Sequence, residues 1–341
     1  MEDVTFYTVC NAEFFLGLVA LINSLVLSGH RSKIVVGSYG LTERQKSILH
    51  EHDLCHVFDL SKNVAQNPGQ LKAFPSITGT DGIAVMIDTG MIITSSLRPM
   101  IDKARSGKVC AFANPINRWF PEWERIFDLP SPPRRDTYVC SCFVVIPTKS
   151  VPNLMSEWWD ACARVHAMPT YQEAGGDFNG PVGQGDQDAL NAVLLSKYPS
   201  DTVSLENPVK MVYRWEFPET RVIEVDTLDC RFRGGRPAIL HAALTPKPWE
   251  PKGQANDIYH RFLRRLLTRP DVYISLPLDM LPASLRTGVR ARLVRERAFL
   301  ANMSLSGYVL SHSPYLVAQA ARRFRSVARH VTSRARQHSR H

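Results

Sequence analysis

The residues of this sequence that could do chemistry fall in three short segments, and the first centres on Asp88. Asp88 directly follows the apolar run 83–87, IAVMI, which is typical of a buried strand. In open α/β sheets ligands bind beyond the carboxyl ends of the strands. A carboxylate there can hold a divalent cation that bridges phosphates. The alternative is an aspartate that only caps the next turn, and position alone leaves both interpretations open.

The second segment, HAALTPKPW, runs from His241 to Trp249 after a short apolar strand. His241 could bind a metal ion, and Lys247 could reach a diphosphate. The prolines on either side of Lys247 predict a stiff, extended segment in which the lysine points one way. The alternative is a loop that only tethers the rest of the chain, with Trp249 packed against the body.

The third segment, GDQDALN, follows a loop rich in glycine and proline. It places Asp186, Gln187 and Asp188 at the start of a predicted helix. Acidic residues there complement the helix dipole, which is a purely structural role. Alternatively, the amide and the carboxylates lie at the mouth of a site and bind sugar hydroxyls.

These segments are joined by alternating strands and helices. Early strands alternate with helices over 11–26 and 41–52, and Thr42 and Gln45 have the spacing of a capping box. This order predicts a parallel sheet with right-handed crossovers. Further helices are predicted over 152–166 and 186–198. The predicted strands are 4–10, 34–36, 57–58, 83–87, 109–113 and 138–146, with short ones near 202–205, 222–225 and 238–241.

The pattern changes to helices only after Pro251, with helices predicted over 258–268, 285–303 and 314–336. The net charge of the whole chain is +9, yet residues 261–341 hold sixteen arginines, no lysine and three acids, so the preceding part is net acidic. A basic tail on a slightly acidic body indicates a separate docking function. We therefore expect a catalytic domain at 1–255 and a basic helical extension at 256–341, with a disordered tip at about 333–341.

The extension has two structural interpretations. Within 315–341, apolar residues recur at helical spacing among arginines, as in helices that lie on anionic membrane surfaces. The alternative is a solvated helix that packs on the catalytic domain. Nucleic-acid binding would require a basic face on the folded body. Because residues 1–260 carry a net charge of −4, no nucleic-acid partner is expected.

Composition places the chain among ordinary globular proteins, since 44% of its 341 residues are hydrophobic and 21% are charged. Seven scattered cysteines with no CxxC pair argue against a zinc or disulfide framework and favour a reducing compartment. Glu2 and Asp3 stand where a signal peptide would be basic, and the apolar stretch 14–27 is too short to span a bilayer. We expect a cytoplasmic protein, with any membrane contact at the inner face.

Together these segments resemble the retaining GT-A glycosyltransferases of glycosyltransferase family 8. The resemblance covers residues 4–250. FYTVCNAEFFLGLVALINSL resembles the opening strand and helix, IDTGMII the aspartate-any-aspartate segment, and YVCSCFVVIP the strand beside the donor sugar. GDQDALN and HAALTPKPW are the most specific matches. The resemblance implies an α/β fold of the GT-A type, Rossmann-like, with a mostly parallel sheet flanked by helices and followed by a C-terminal helical extension.

The resemblance also implies an activity, the transfer of a sugar from a nucleotide diphosphate, UDP above all, to a glycan or lipid-linked acceptor with retention. Asp88 and His241 would hold Mn²⁺ or Mg²⁺, and Lys247 would bind the diphosphate. Asp186 and Gln187, the implied catalytic residues with Lys247, would face the donor sugar near its anomeric carbon. The remaining implied donor contacts are Asn11 and Glu13 near the base, together with Lys72, Ser141 and Asp188.

Three departures from the family pattern bear on activity. Gly90 stands where the second aspartate of the metal motif is expected, so one metal ligand is missing and the need for a metal is open. Cys140 and Cys142 replace the usual asparagine and glycine, and Leu244 replaces a common glycine. The alternative function is therefore a catalytically impaired GT-A protein that serves as a binding or scaffold partner.

Overall fold

The structure is a computed structural model that describes residues 3–60, 70–167, 179–250, 253, 257–283 and 285–286. Within these ranges the chain alternates between strands and helices, and most strands belong to one central sheet. In chain order the strands are β1 (Val4–Cys10), β2 (Lys33–Ser38), β3 (Cys55–Asp59), β4 (Ile83–Ile87), β5 (Met91–Ile93), β6 (Val109–Ala113), β7 (Val139–Pro147), β8 (Val203–Leu205), β9 (Met211–Tyr213), β10 (Arg221–Glu224), β11 (Asp229–Arg231) and β12 (Ile239–His241).

The central sheet has the strand order β3-β2-β1-β4-β7-β6-β8. Four neighbouring pairs are parallel, namely β3–β2, β2–β1, β1–β4 and β6–β8. β7 runs antiparallel to both β4 and β6. The predicted mostly parallel α/β sheet is therefore confirmed. A smaller sheet has the order β5-β12-β9, and β10 pairs with β11.

Helices cover both faces of the central sheet. They are α1 (Phe15–Leu27), α2 (Glu43–His50), α3 (Pro75–Thr78), α4 (Arg98–Arg105), α5 (Trp123–Phe127), α6 (Leu154–Ala167), α7 (Asp186–Lys197) and α8 (Ile258–Thr268). Both hydrogen bonds of the Thr42–Gln45 capping box are present at the start of α2. Alternate residues of the strands face two different cores: Phe6 packs with α1, α4 and α8, and Tyr7 packs with α5, α6 and α7.

Helix α8, which follows residue 255, packs on the α/β body. The apolar face of α8, with Phe262 and Leu266 fully buried, belongs to the same core as α1. Ile274 and Leu281 pack into this core as well. The predicted helix 314–336 lies outside the described residues.

The predicted helix 285–303, the membrane-contact segment 315–341 and the tip 333–341 also lie outside the described residues, apart from Leu285 and Arg286, which form a turn. Among the helices that the structure does describe, none is both long and apolar enough to cross a bilayer.

Asn23 fixes the chain after α8 onto α1. Its amide nitrogen donates to the carbonyls of Leu266 (2.8 Å) and Ile274 (3.0 Å), and its oxygen accepts from the Ile274 N–H (2.7 Å). The amide lies inside the core. Because the amide is buried, water cannot take the place of these hydrogen-bond partners as it could at the surface.

Asn23→Ala should destabilise the protein by about 3 kcal/mol, because it leaves three backbone groups buried without partners. Urea unfolding followed by circular dichroism measures this change. Lys149→Ala, at an exposed position, is the control and should change the unfolding free energy by less than about 0.5 kcal/mol. Equal effects of the two substitutions would contradict the anchoring role.

Candidate active site

A cavity of about 420 Å³ opens at the carboxyl ends of β1 and β4. Residues 7–11 at the end of β1 and residues 86–90 around the end of β4 form much of its wall, together with Tyr39 after β2. This is the edge of the sheet where ligands bind in α/β folds. The volume lies within the range of roughly 300–1,000 Å³ that is usual for small-molecule sites.

A bulge in β7 supplies another part of the wall. Ala111 of β6 pairs with Val144 and Ala113 pairs with Val139, so residues 140–142 are extra on β7. Bulges of this kind redirect side chains next to functional sites. Ser141, in the middle of the bulge, lines the cavity. Its N–H donates to Gln187 Oε1 (3.0 Å) and its hydroxyl to Asp186 Oδ2 (2.6 Å).

Lys72 joins the acidic groups of the site. Its Nζ lies 3.0 Å from Asp88 Oδ1 and 3.1 Å from Asp186 Oδ2, and it donates to Ser141 Oγ at 3.4 Å. Burial opposes the charged form, but Asp186 and Asp88 outweigh it and raise the pKa of Lys72 well above its ordinary value. Lys72, Asp88, Asp186 and Ser141, four of the residues with an implied role at the donor, thus lie in contact with one another.

His241 reaches the same cluster from β12. Its Nε2 lies 3.7 Å from Asp88 Oδ2. Burial, together with the charges of Lys247 and Lys72, lowers the pKa of His241 to about 3, so the ring is neutral. Its Nδ1 is buried and has no hydrogen-bond partner among the described residues. β12 pairs with β5, and the Ala242 N–H donates to the Gly90 carbonyl (2.9 Å), which holds His241 beside position 90.

Lys247 lines the cavity, but not through an extended segment. The chain bends at residues 244–246, and Leu244 has a φ of 69°, a left-handed conformation that suits glycine. Lys247 Nζ turns back to donate to the Ala242 carbonyl at 3.0 Å and lies 5.3 Å from the centre of the Phe14 ring. The expected extended segment is therefore wrong, because the prolines do not fix the backbone at Leu244.

No ion pair between Lys247 and a carboxylate is present in the described part of the chain. Burial is the largest of the effects that lower the pKa of Lys247, although Asp88 opposes it. Because no carboxylate in the described residues pairs with it, this partly buried amine can bind an anion in the cavity.

Trp249 anchors the segment that carries Lys247. Its indole N–H donates to the Glu13 carbonyl at 2.9 Å, and its ring packs edge-on against Phe14. The ring also lies so close to Gly17 that a Cβ there would be 2.4 Å from it. Trp249 thus packs against the body, as the alternative interpretation of this segment had it, while Lys247 lines the cavity. The Trp249 contacts hold the backbone that carries Lys247.

Two expected donor contacts lie away from the cavity. The Asp188 carboxylate is fully buried and bonds to Arg118 (3.0 Å), to the Tyr138 hydroxyl (2.6 Å) and to the Gln184 N–H (2.7 Å). These partners satisfy its oxygens, so its contacts are structural. The Glu13 side chain is exposed and does not line the cavity. Asn11 does line it, with its side chain capping the turn at Phe14.

Asp186 and Gln187 stand one contact behind the cavity wall, through their bonds to Ser141 and Lys72. Sequence reasoning missed several wall residues, among them Phe14 and Tyr39. Tyr39 lies three residues after the predicted parallel strand 34–36, and this position was the signal that could have identified it.

The side chains present do not fit a resident divalent cation. Asp88 and His241 approach each other, but Gly90 supplies no third ligand, and one Asp88 oxygen is already bonded to Lys72. In the described ranges no group of three or more His, Cys, Asp or Glu side chains is arranged to hold a metal. A site of this kind normally requires about six oxygen or nitrogen donors.

Comparison with solved structures finds a similar arrangement of sheet and helices in glycosyltransferases. WbbM, a bifunctional glycosyltransferase in its apo form, matches with a TM-score of 0.52 and 16% identity over 79% of this chain and 50% of its own. This chain thus spans about half of WbbM. An active-site mutant of LgtC matches with a TM-score of 0.52 and 14% identity, over 81% of this chain and 98% of LgtC. The galactosyltransferase LgtC in complex with donor and acceptor sugar analogues matches with a TM-score of 0.51, 14% identity and the same coverage.

This chain has a GT-A glycosyltransferase fold. At these identities the similarity shows the fold alone. No protein-family model matches the chain, and no curated protein sequence matches it.

Arg118→Ala should destabilise the protein by about 3 kcal/mol or more, because it leaves the Asp188 carboxylate buried without its cation. Arg44→Ala is the matched control, since Arg44 pairs with Asp279 on the surface, and it should cost less than about 1 kcal/mol. Urea unfolding measures both. If Arg118→Ala lowers the free energy of unfolding no more than Arg44→Ala does, the Arg118–Asp188 ion pair does not have this structural role.

Proposed function

We propose that this protein is a glycosyltransferase resembling family 8, which transfers a sugar from a nucleotide diphosphate, UDP first among the candidates, to a glycan or lipid-linked acceptor with retention. One observation carries the proposal. The Lys247 ammonium group, without a carboxylate partner in the described residues, faces the same cavity as Lys72, Asp88 and Ser141. A positive charge at the carboxyl ends of the strands in a GT-A fold is well placed to bind a diphosphate.

The wall of the cavity suits the three parts of such a donor. The base would lie along the end of β1, near Asn11 and Tyr39. The diphosphate would lie at Lys247, and the sugar would extend over Ser141 towards Asp186. Thr8 Oγ1 is buried and has no hydrogen-bond partner in the described part of the chain. Buried polar atoms normally have hydrogen-bond partners, so a polar ligand at this wall would supply the partner that Thr8 lacks there.

The reaction that we propose breaks the bond between the anomeric carbon and the diphosphate oxygen. The acceptor hydroxyl forms the new bond on the same face, and its proton passes to the departing diphosphate. Negative charge grows on the diphosphate as the bond breaks, so the Lys247 ammonium group stabilises the transition state more than the ground state. Gln187 is an amide, a poor nucleophile held by the Ser141 N–H, which supports front-face attack.

Lys247→Ala should reduce release of UDP from a UDP-sugar by about 10²- to 10³-fold, the usual loss for one group that stabilises developing negative charge. A coupled assay for free UDP with purified protein and a panel of UDP-sugars measures this rate. Lys33→Ala is the matched control, because Lys33 is exposed at the amino end of β2, opposite to the cavity. It should leave the rate unchanged.

If wild-type protein neither hydrolyses nor transfers from any nucleotide sugar, the enzymatic proposal fails. The alternative, a binding or scaffold protein with a GT-A fold, would then stand. Gly90 and the Cys140 and Cys142 replacements favour that alternative, and turnover separates the two functions.

Asp186→Asn should lower kcat by at least about 10-fold while changing the dissociation constant of UDP by less than about threefold. Asp186 orients Lys72 and Ser141 beneath the proposed position of the donor sugar. Because UDP has no sugar at that position, its affinity should depend little on Asp186. Steady-state kinetics and calorimetry measure the two quantities. Loss of UDP affinity with unchanged kcat would place Asp186 at the nucleotide instead.

We also propose that residues 315–341 contact an anionic membrane surface, on the basis of the arginines and apolar spacing in the sequence. This contact would bring a lipid-linked acceptor to the enzyme. It is separate from the chemistry of the cavity.

A further inference from the structure

Position 90 borders the cavity beside His241, so the side chain there affects how much negative charge faces the cavity. A Cβ on Gly90 would lie 3.4 Å from the Ala242 carbonyl oxygen and 3.9 Å from His241 Cδ2, both ordinary contacts. The backbone therefore has room for a side chain directed beside His241. The third metal ligand is therefore missing because residue 90 has no side chain, and not because the backbone leaves no room for one.

Lys247 lies at the place that such a side chain would approach. Its ammonium group donates to Ala242 O, the same oxygen that a Cβ at position 90 would meet. On the other side of the site, the Lys72 ammonium group is bonded to Asp88, the remaining carboxylate of the motif. Thus a lysine ammonium group lies beside each position of the aspartate-any-aspartate segment, Lys72 beside Asp88 and Lys247 beside Gly90.

The charges of this arrangement balance without a metal. Two ammonium groups, Lys72 and Lys247, lie at this site together with two carboxylates, Asp88 and Asp186. A third carboxylate at position 90 would leave the metal-free site negative and would repel a diphosphate. Gly90 removes that repulsion, so the site can accept an anion without a dication.

We propose that this protein binds the diphosphate of its donor without a divalent cation, with Lys247 supplying the direct positive charge and Lys72 neutralising Asp88. The inference rests on the proposed function, because it specifies how the same cavity holds a nucleoside diphosphate. Lysine is a compact charge with three donors, and it binds phosphate oxygens directly. Fixed charges aimed at a leaving group need no rearrangement as the reaction proceeds.

Calorimetric titration of the full-length protein with UDP tests the inference. The protein is first dialysed against EDTA, and UDP binding is then measured in EDTA, in MnCl₂ and in MgCl₂. The three dissociation constants should agree within about threefold. Lys247→Ala should weaken UDP binding at least 10-fold in EDTA, and Mn²⁺ should not restore it.

Gly90→Asp provides a gain-of-function test, with Gly90→Ala as its control for the added Cβ. In EDTA, Gly90→Asp should weaken UDP binding at least 10-fold, and Mn²⁺ should restore it. Titration of Mn²⁺ alone, followed by electron paramagnetic resonance, should detect binding to Gly90→Asp at least 10-fold tighter than to the wild-type protein. Gly90→Ala should bind Mn²⁺ no better than wild type.

Two different failures are distinguishable. If wild-type protein binds UDP only when Mn²⁺ or Mg²⁺ is present, the inference is overturned while the proposed nucleotide-sugar function stands. If neither UDP nor the diphosphates of the other nucleosides bind under any of the three conditions, the proposed function fails and the inference fails with it.

Discussion

The candidate site depends on one ion cluster, in which the Lys72 ammonium group lies between Asp88 and Asp186. Asp88 follows β4, Asp186 begins α7, and Ser141 of the β7 bulge bonds to both Lys72 and Asp186. Three elements that are far apart in the chain are therefore fixed to one another by a few polar contacts. Without the lysine, two carboxylates would face each other across a small, partly buried space, which costs free energy.

A second set of contacts brings the C-terminal part of the body to the same cavity. Trp249 packs on Gly17 and bonds to the Glu13 carbonyl at the start of α1, and the backbone before it returns to Gly90 through Ala242. Lys247 is held between these two attachments. Its ammonium group faces the cavity because the surrounding backbone is fixed, although no carboxylate in the described residues pairs with it.

Much of this could be predicted from the sequence, because the signals were local. The apolar run before Asp88, the capping box at Thr42 and the helix start at Asp186 each depend on neighbouring residues. The bulge at 140–142 could not be predicted, since it is a property of the pairing between β6 and β7. Acids at a helix start look alike in sequence, yet Asp186 reaches Lys72, and Asp188 is buried against Arg118. The bend at Leu244 was also missed, because a proline fixes only its own φ.

The most direct test of the account is a thermal-shift screen of the wild-type protein with nucleotide diphosphate sugars. A ligand that binds only the folded state adds about 2.7 kcal/mol of stability at 100 times its dissociation constant. We expect at least one nucleotide diphosphate sugar, a UDP-sugar first, to raise Tm by several degrees at millimolar concentration, whereas free sugars do not. If no nucleotide sugar changes Tm, the cavity is not a donor site and the proposed function is contradicted.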